Sequence, residues 1–267
     1  MRQAIGKGAK TVLIDRFAYG NRLRHTDPSL KTAIALAMLI LCLVLNVPVA
    51  NLFALGWMSL LTVSVAHIPA RVFGRILLGE SAFLVLATVG IVVTVSGTPP
   101  PVETLWRVHL GTLWLFGTTA GLFAAVHTVT RAVGATAAMN FLALTTPLVD
   151  LVELMRRWHV PDALIDITAT VYRATFLLLD NFNQMYTAQQ CRLGYVSARR
   201  SMHSAALLGG NLFIKTFQKG KRLQLALDAR GFDGNLRVLP TQYRPNPALA
   251  AWGISGVMAM LGIWWLK

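Results

Sequence analysis

Charged residues are scarce in this 267-residue sequence. Asp, Glu, Lys and Arg together make up 13% of the chain, whereas aliphatic and aromatic residues make up 55%. A soluble globular domain carries roughly 25% charged residues, so the composition argues against a cytosolic enzyme. The mean hydropathy of +0.55 agrees with that conclusion. An intrinsically disordered chain is also excluded, because such chains contain few apolar residues.

Acidic residues are the scarcer of the two charge types. The chain has 11 Asp and Glu against 25 Lys and Arg, which gives a formal net charge of +14. In a soluble protein such an excess would indicate nucleic-acid binding. In a membrane protein it more often reflects basic cytoplasmic segments. The positions of the basic residues, described below, favour the second interpretation, and no nucleic-acid partner is expected.

The sequence also lacks the motifs of common catalytic and metal sites. Two cysteines, Cys42 and Cys191, are too few for a disulfide framework and are expected to be free thiols. A P-loop is missing, because Arg222 follows Gly220 and Lys221 where Ser or Thr is required. The six histidines show no metal-ligand spacing, and paired carboxylates and a nucleophile elbow are missing. We therefore predict no catalytic residue, no metal and no cofactor.

Long apolar runs are what the sequence does contain. A membrane-spanning helix needs about 20 apolar residues, with a range of roughly 17–25, and the flanks of a shorter run can extend it by a turn. The sequence therefore predicts an all-α polytopic membrane protein with about five transmembrane helices. The five runs cover residues 32–45, 49–66, 81–95, 112–130 and 248–266.

The basic residues between these runs predict the topology. Residues 1–31 carry seven Lys and Arg, and residues 132–247 carry 13 of the 25, whereas the loop 97–111 carries only Arg107. Cytoplasmic segments of membrane proteins are enriched in Lys and Arg, so the first two segments are expected in the cytoplasm. The predicted order is a basic cytoplasmic segment 1–31, four spans in 32–130, a cytoplasmic or interfacial segment 131–247, and a final span in 248–267.

Most of the segment 131–247 is too polar to cross a membrane. Its small apolar start, residues 133–146, is expected to form a helix lying against the bundle. The apolar spacing in the rest predicts long amphipathic helices. We expect helices over 147–158, from Pro161 to about Gly194, and from an N-cap at Asn211 to Arg230, with Gly220 as a candidate break.

Two short patches in this segment each place an arginine near a glycine at a predicted helix end. A guanidinium group is a planar fork suited to bidentate contact with a carboxylate, so each end could dock on a partner. Arginine close to a helix C-terminus is also common for a local reason, because cations interact favourably with the helix dipole there. Both interpretations are open on the residues alone. The patches are Cys191-Arg192-Leu193-Gly194 and Ala229-Arg230-Gly231.

The order of spans, arginine patches and final span resembles the transmembrane T component of energy-coupling factor (ECF) transporters, above all the cobalt/nickel branch, the CbiQ/NikQ family. That family carries two Ala-Arg-Gly-type motifs on long cytoplasmic coupling helices. Ala229-Arg230-Gly231 matches outright. In the first patch Cys replaces Ala and the glycine is displaced by one position, similar to a Gln-x-x-Arg-x-Gly-Tyr form in the cobalt branch. Thr146-Pro147 before an amphipathic helix is also similar to the family.

The resemblance implies a non-catalytic subunit of an ATP-driven importer, for cobalt or nickel ions, in the inner or plasma membrane of a prokaryote with a cytoplasmic N-terminus. The implied partners are two P-loop ATPase subunits, a substrate-binding S component, an optional further small membrane subunit, and membrane lipid. The implied ATPase-coupling residues are Cys191, Arg192, Leu193, Gly194, Ala229, Arg230 and Gly231. The alternatives are a polytopic membrane enzyme acting on lipid or phosphate substrates, and a receptor or signalling scaffold.

Overall fold

The computed structural model describes residues 17–45, 47–96, 104–110, 113–232 and 243–266, which divide into two compact units. Of the described residues, those within 17–147 and 243–266 form the membrane unit, and residues 148–232 form the polar-helix unit. The helices are, in chain order, α1 Pro28–Val44, α2 Pro48–Leu60, α3 Ala70–Val92, α4 Thr119–Thr145, α5 Leu148–Arg157, α6 Asp162–Cys191, α7 Ala198–Asp228 and α8 Pro247–Trp265.

Four of these helices are long and apolar enough to cross a membrane. They are α2 with the π-helical turn Leu61–Val65 that continues it, α3, α4 and α8, while α1 is a shorter apolar helix of 17 residues. Each of the five predicted apolar runs therefore overlaps an apolar helix. The predicted all-α polytopic membrane fold is confirmed.

The predicted bounds of the fourth span are wrong. The structure places β3, Leu113–Thr118, at the start of the predicted span 112–130, and the helix begins only at Thr119. The Thr118 hydroxyl caps this helix by accepting a hydrogen bond from the Gly121 amide at 3.0 Å. The helix then continues to Thr145, so it crosses the predicted segment boundary at 130/131, and Arg131 lies inside α4 rather than beyond it.

The third span also begins earlier than predicted. The run 81–95 is extended at its N-terminal side to Ala70, so Arg71 and Arg75 lie in the first two turns of α3 rather than in a loop. Pro69 precedes the helix as its N-cap residue, and proline at a helix start is tolerated because the first amide groups have no intrahelical partner.

Three short strands are an exception to the helical architecture among the described residues. β1, Val93–Ser96, and β2, Thr104–Leu110, both pair with β3 in antiparallel orientation, in the order β1–β3–β2. Gly117 on β3 lies against the ring of Trp106, where an added Cβ would collide with the indole. Part of the predicted loop 97–111 thus forms a sheet between α3 and α4.

The core of the membrane unit lies between α1, α2 and α4. Met38, Met58 and Phe141 are fully buried there. At Gly134 of α4 an added Cβ would lie 2.8 Å from the carbonyl oxygen of Asn51 on α2, so glycine permits this close approach of the two helices.

Backbone hydrogen bonds gather several helix ends at one end of the membrane unit. The Arg22 amide donates to the Ala66 carbonyl at 3.4 Å, and the Arg244 amide donates to the His25 carbonyl at 2.8 Å. The starts of α1, α3 and α8 therefore lie together, beside the end of α4 at Thr145, which accepts from the Asn21 side chain at 3.2 Å. This arrangement agrees with the alternation predicted from charge; that this end faces the cytoplasm stays a prediction.

The polar-helix unit contains α5, α6 and α7. The helix expected between Pro161 and about Gly194 is confirmed as α6. The expected start of the third helix at Asn211 is wrong, because α7 begins at Ala198, where the Ser197 hydroxyl caps it by accepting from the Arg200 amide at 3.4 Å. α7 also runs through Gly220 without a break.

Candidate functional site

The first arginine patch forms the C-terminal end of α6. The Leu193 amide donates to the Gln190 carbonyl at 3.0 Å, and the Gly194 amide donates to the Gln189 carbonyl at 2.9 Å. This pair of hydrogen bonds is the Schellman motif, which satisfies the last carbonyl groups of a helix. Arg192 is the last residue before the chain turns.

The second arginine patch ends α7 with the same pair of hydrogen bonds. The Gly231 amide donates to the Asp228 carbonyl at 3.0 Å, and the Phe232 amide donates to the Leu227 carbonyl at 3.1 Å. Arg230 therefore occupies the same position relative to its helix end as Arg192 does. Gly at the residue after the arginine is the usual choice in this motif.

Backbone dihedral angles show which residues of the two patches correspond. Leu193 has a φ of 59° and Gly231 a φ of 71°, so each adopts the left-handed conformation directly after the arginine. Cys191-Arg192-Leu193 is thus the geometric counterpart of Ala229-Arg230-Gly231. The glycine that looks displaced by one position, Gly194, is not the counterpart of Gly231.

Gly194 has a packing role at the start of the turn to α7. An added Cβ would lie 2.6 Å from Ser204 Oγ and 3.0 Å from the Gln189 carbonyl oxygen, so a larger residue would force one of them to move. Ser204, which is buried, donates from Oγ to the Gly194 carbonyl at 2.9 Å. The end of α6 is therefore fixed directly to α7.

The side chain of Gln189 completes this connection. Its Nε2 donates to the Ser204 carbonyl at 3.0 Å, and its Oε1 accepts from the Tyr195 hydroxyl at 2.7 Å. The Tyr195 ring lies 4.9 Å from that of Tyr186. The sequence reasoning missed Gln189, Tyr195 and Ser204 as supports of Arg192; the resemblance to a Gln-x-x-Arg-x-Gly-Tyr form was the only signal for the first two.

The arginines themselves are accessible. Arg192 and Arg230 are exposed, as are Cys191 and Ala229, and no ion pair to either arginine occurs among the described residues. A groove of about 370 Å³ lies beside Arg192, between α6 and α7, and Gln189 and Leu208 contribute to its lining. Each helix end thus presents a guanidinium group that a partner can reach.

An exposed apolar surface extends along α7 between the two arginines. Of its 31 residues only Ser204 and Leu208 are buried, whereas Phe213 is 71% and Leu225 69% exposed. Basic residues at 215, 219, 221 and 222 are interspersed with the apolar ones. A large exposed apolar surface with polar neighbours is typical of a protein or membrane interaction site.

The structure does not place the two arginines side by side. Arg192 lies at the end of α6, where hydrogen bonds join it to the first turns of α7, and Arg230 lies at the far end of α7. The 31 residues of α7 span roughly 45 Å at 1.5 Å per residue. Two separate contacts with partners are therefore possible on one helix pair. Among the described residues, no group of three or more His, Cys, Asp or Glu side chains could hold a metal ion.

Comparisons with known proteins agree with this architecture. Residues 20–240 match the family model CbiQ, described as cobalt transport protein. The chain is 28% identical to cobalt transport protein CbiQ of Salmonella typhimurium over 84% of this chain and 99% of that protein. It is 26% identical to a fused cobalt transport protein CbiMQ of Methanocorpusculum labreanum, over 97% of this chain and 43% of that longer protein.

A further relative bears the name of a different metal. Nickel permease LarQ of Lactiplantibacillus plantarum is 31% identical over 47% of this chain and 44% of its own length. The family model covers most of the chain, including both arginine-bearing helix ends. This chain is therefore a member of the CbiQ cobalt transport protein family, a multi-pass membrane protein and a component of an ion transporter.

Proposed function

We propose that this chain is the transmembrane coupling (T) component of an ATP-driven ECF importer for cobalt or nickel ions. The single observation that carries the proposal is the pair of matching helix ends, each of which presents an exposed arginine directly before a left-handed residue. Two equivalent docking ends suit two ATPase subunits. The names of the relatives, a cobalt transport protein and a nickel permease, support the ion.

Each arginine docks onto a carboxylate in a groove of one ATPase subunit. A bidentate contact between guanidinium and carboxylate is strong and directional, so it suits a joint that must transmit motion. The exposed apolar residues of α7 supply the surrounding contact, because burying apolar surface is the main favourable term in most protein association. The energy of ATP hydrolysis comes from the partners, since this chain has no nucleotide-binding motif.

Motion of the ATPases reaches the membrane through α6 and α7. Both helices are about 30 residues long, and the hydrogen bonds of Gln189 and Ser204 join the end of the first to the second. At the Arg192 end, α6 and α7 therefore move together as one rigid element. A membrane S component binds the ion and responds to this movement; the fused relative named cobalt transport protein CbiMQ supports a second transport protein as partner.

The orientation in the membrane follows from the charges at the helix ends. The end of the membrane unit where α1, α3 and α8 begin carries exposed Arg22, Arg24, Arg71, Arg75 and Arg244. Lys and Arg are enriched on the cytoplasmic side, so this end faces the cytoplasm of a prokaryotic cell and the N-terminal segment lies with it.

The test is transport by the complete complex. The chain is co-expressed with its ATPases and S component, and cobalt or nickel uptake into cells and the amount of copurified ATPase are measured. Arg192→Ala and Arg230→Ala should each reduce uptake. Arg199→Ala, an exposed arginine on the same unit outside both helix ends, is the matched control. Normal uptake and assembly in the Arg192→Ala/Arg230→Ala double variant would refute the proposal.

A further inference from the structure

Exposed arginines at one end of the membrane unit exceed the carboxylates available to neutralise them. The arginines at 22, 24, 71, 75 and 244 are all exposed. The carboxylates of this unit in the described part of the chain are Asp27 and Glu80. Asp27 accepts from the Ser29 amide at 2.9 Å, and Glu80 accepts from Asn140 Nδ2 at 2.8 Å. In the described part of this unit the carboxylates are thus fewer than the five exposed arginines, so an anion from outside the chain can occupy this end.

Two of these arginines are continuous with an exposed apolar stripe. Arg71 and Arg75 are one helical turn apart on α3, and Leu78 follows three residues later on the same face. Leu86 and Val89 continue that face about two turns further on. All three apolar side chains are exposed, and none of the residues in the most apolar window of α3 is buried within the structure. This face of α3 thus combines two cations at its start with an aliphatic surface below them.

We propose that Arg71 and Arg75 bind the phosphate of an anionic phospholipid whose acyl chains lie along the Leu78–Val89 face of α3. A guanidinium group near a helix end reaches the level of the lipid phosphates, where it forms charge-assisted, bidentate hydrogen bonds. Arg22 lies in the segment whose backbone contacts Ala66, just before α3, and strengthens the positive potential at the same end. Basic groups at the cytoplasmic ends of transmembrane helices are known to attract anionic lipid headgroups.

The apolar stripe favours a lipid over a soluble acidic partner. A soluble protein that covered Arg71 and Arg75 would leave Leu78, Leu86 and Val89 uncovered, because these side chains continue along a helix long enough to cross the hydrocarbon layer. A phospholipid can contact both the arginines and the apolar stripe, because its phosphate and its acyl chains belong to one molecule. A neighbouring membrane subunit is the other possible occupant and is distinguished below.

The test measures lipid binding to the full chain purified in non-ionic detergent. Phosphatidylglycerol and phosphatidylcholine with identical acyl chains are titrated separately, and bound lipid is counted by native mass spectrometry. The wild type should bind phosphatidylglycerol roughly 25-fold more tightly than phosphatidylcholine, because each of the two basic groups near the surface contributes a factor of about five. Arg71→Gln/Arg75→Gln should remove most of that preference. Arg199→Gln/Arg200→Gln removes the same charge from exposed positions on α7 and should leave the preference unchanged.

Each other outcome overturns the proposal. Equal affinity of the wild type for both lipids would show that the arginines do not select an anionic headgroup. Equal loss in the α7 control would show a nonspecific charge effect. Displacement of phosphatidylglycerol by millimolar inorganic phosphate would assign the arginines to a free anion. Loss of a copurified membrane subunit or ATPase in Arg71→Gln/Arg75→Gln, with lipid binding unchanged, would assign this face to a protein partner.

The single variants control for the case in which the double variant misfolds. Arg71→Gln and Arg75→Gln should each weaken phosphatidylglycerol binding about fivefold while eluting from gel filtration as the wild type does. No change in either single variant would also overturn the proposal.

Discussion

Lys31, which is fully buried, donates a hydrogen bond from Nζ to the carbonyl oxygen of Thr145 at 3.2 Å. The same ammonium group donates to the Leu23 carbonyl at 2.9 Å. Thr145 is the last residue of α4, so a cation lies where the helix dipole is negative and the final carbonyl groups lack intrahelical partners. Asn21, in the segment before α1, also donates from its side-chain amide to the carbonyls of Leu144 and Thr145. The end of α4 is thus held just before the chain continues into the polar-helix unit.

Replacing this lysine should destabilise the membrane unit. Lys31→Met keeps most of the apolar stem but removes the charged donor of two hydrogen bonds, and a hydrogen bond to a charged group contributes about 1.5–3 kcal/mol. The two carbonyl groups keep their other donors, the Asn21 side chain at Thr145 and the Thr26 amide at Leu23. The measurement is thermal unfolding of the purified chain in detergent. Arg24→Met, in the same segment but exposed, is the control and should change stability little. Equal melting temperatures for Lys31→Met and the wild type would contradict this role.

Exchanging the residues after the two arginines should have opposite effects. Leu193→Gly relieves a left-handed conformation that costs an L residue about 1 kcal/mol, so it should raise the stability of the α6 end. Gly231→Leu imposes the same cost on the α7 end and should lower stability. Unfolding by denaturant checks both. A loss of stability in Leu193→Gly would show that the 64% exposed leucine side chain contributes contacts that outweigh its backbone conformation.

Gly194→Ala should loosen the joint between α6 and α7. The new methyl group meets Ser204 Oγ and the Gln189 carbonyl, so Ser204 must move and its hydrogen bond to the Gly194 carbonyl should weaken. Copurified ATPase and metal uptake should both fall if a fixed Arg192 is required. Gly220→Ala is the matched control, because nothing lies within 4 Å of an added Cβ there and alanine favours a helix by roughly 0.5–1 kcal/mol.

A double variant separates the clash from other effects at this position. Ser204→Ala removes the Oγ atom that the methyl group meets first, so Gly194→Ala/Ser204→Ala should recover part of the stability lost in Gly194→Ala. Such non-additivity is expected of residues in contact. Strictly additive losses would mean that the clash with Ser204 is not the cause.

Cysteine labelling tests the orientation. In a Cys42→Ser/Cys191→Ser background, single cysteines replace Met202 on α7, which is 79% exposed, and Leu266 after α8, which is 85% exposed. A membrane-impermeant maleimide should label Leu266→Cys in intact cells and Met202→Cys only after permeabilisation, because α8 crosses the membrane once after the polar-helix unit. Labelling of Met202→Cys from outside intact cells would show that the topology is the reverse of the one proposed.

The membrane-spanning helices were predicted correctly where the hydropathy is high and wrongly where it is moderate. The predicted fourth span, 112–130, begins too early because Leu115 and Phe116 raise the hydropathy of a segment that forms a strand. The true end of α4 contains Gly134, Ala137 and Ala138, whose low side-chain volume gives little hydropathy but allows close packing against α2. Packing between helices, which a one-dimensional profile does not contain, decides the bounds.

Helix starts in the polar-helix unit were ambiguous for a local reason. The sequence prediction placed the N-cap at Asn211 and did not consider Ser197, although serine is also a favoured N-cap residue. The structure uses Ser197, because α7 must begin directly after the turn that Gly194 and Ser204 hold together. The start of α6 was easier to predict, because Pro161 directly precedes it and a regular apolar stripe follows.

The arginine positions were predictable, but their supports were not. Arg192 and Arg230 stood out as cations at helix ends, and both lie there. The role of Gln189 depends on Ser204, which is fifteen residues away, and only folding of α7 against α6 brings the two together.

The left-handed Leu193 changes what should count as the same motif in related chains. A search for the sequence Ala-Arg-Gly identifies the end of α7 but misses the end of α6, although the backbone places the arginine in the same position at both helix ends. The left-handed conformation at that position costs a residue other than glycine only about 1 kcal/mol. The residue type after the arginine can therefore change in evolution while the guanidinium group keeps its position. Alignments of such chains are therefore better anchored on the arginine and the helix end than on the glycine.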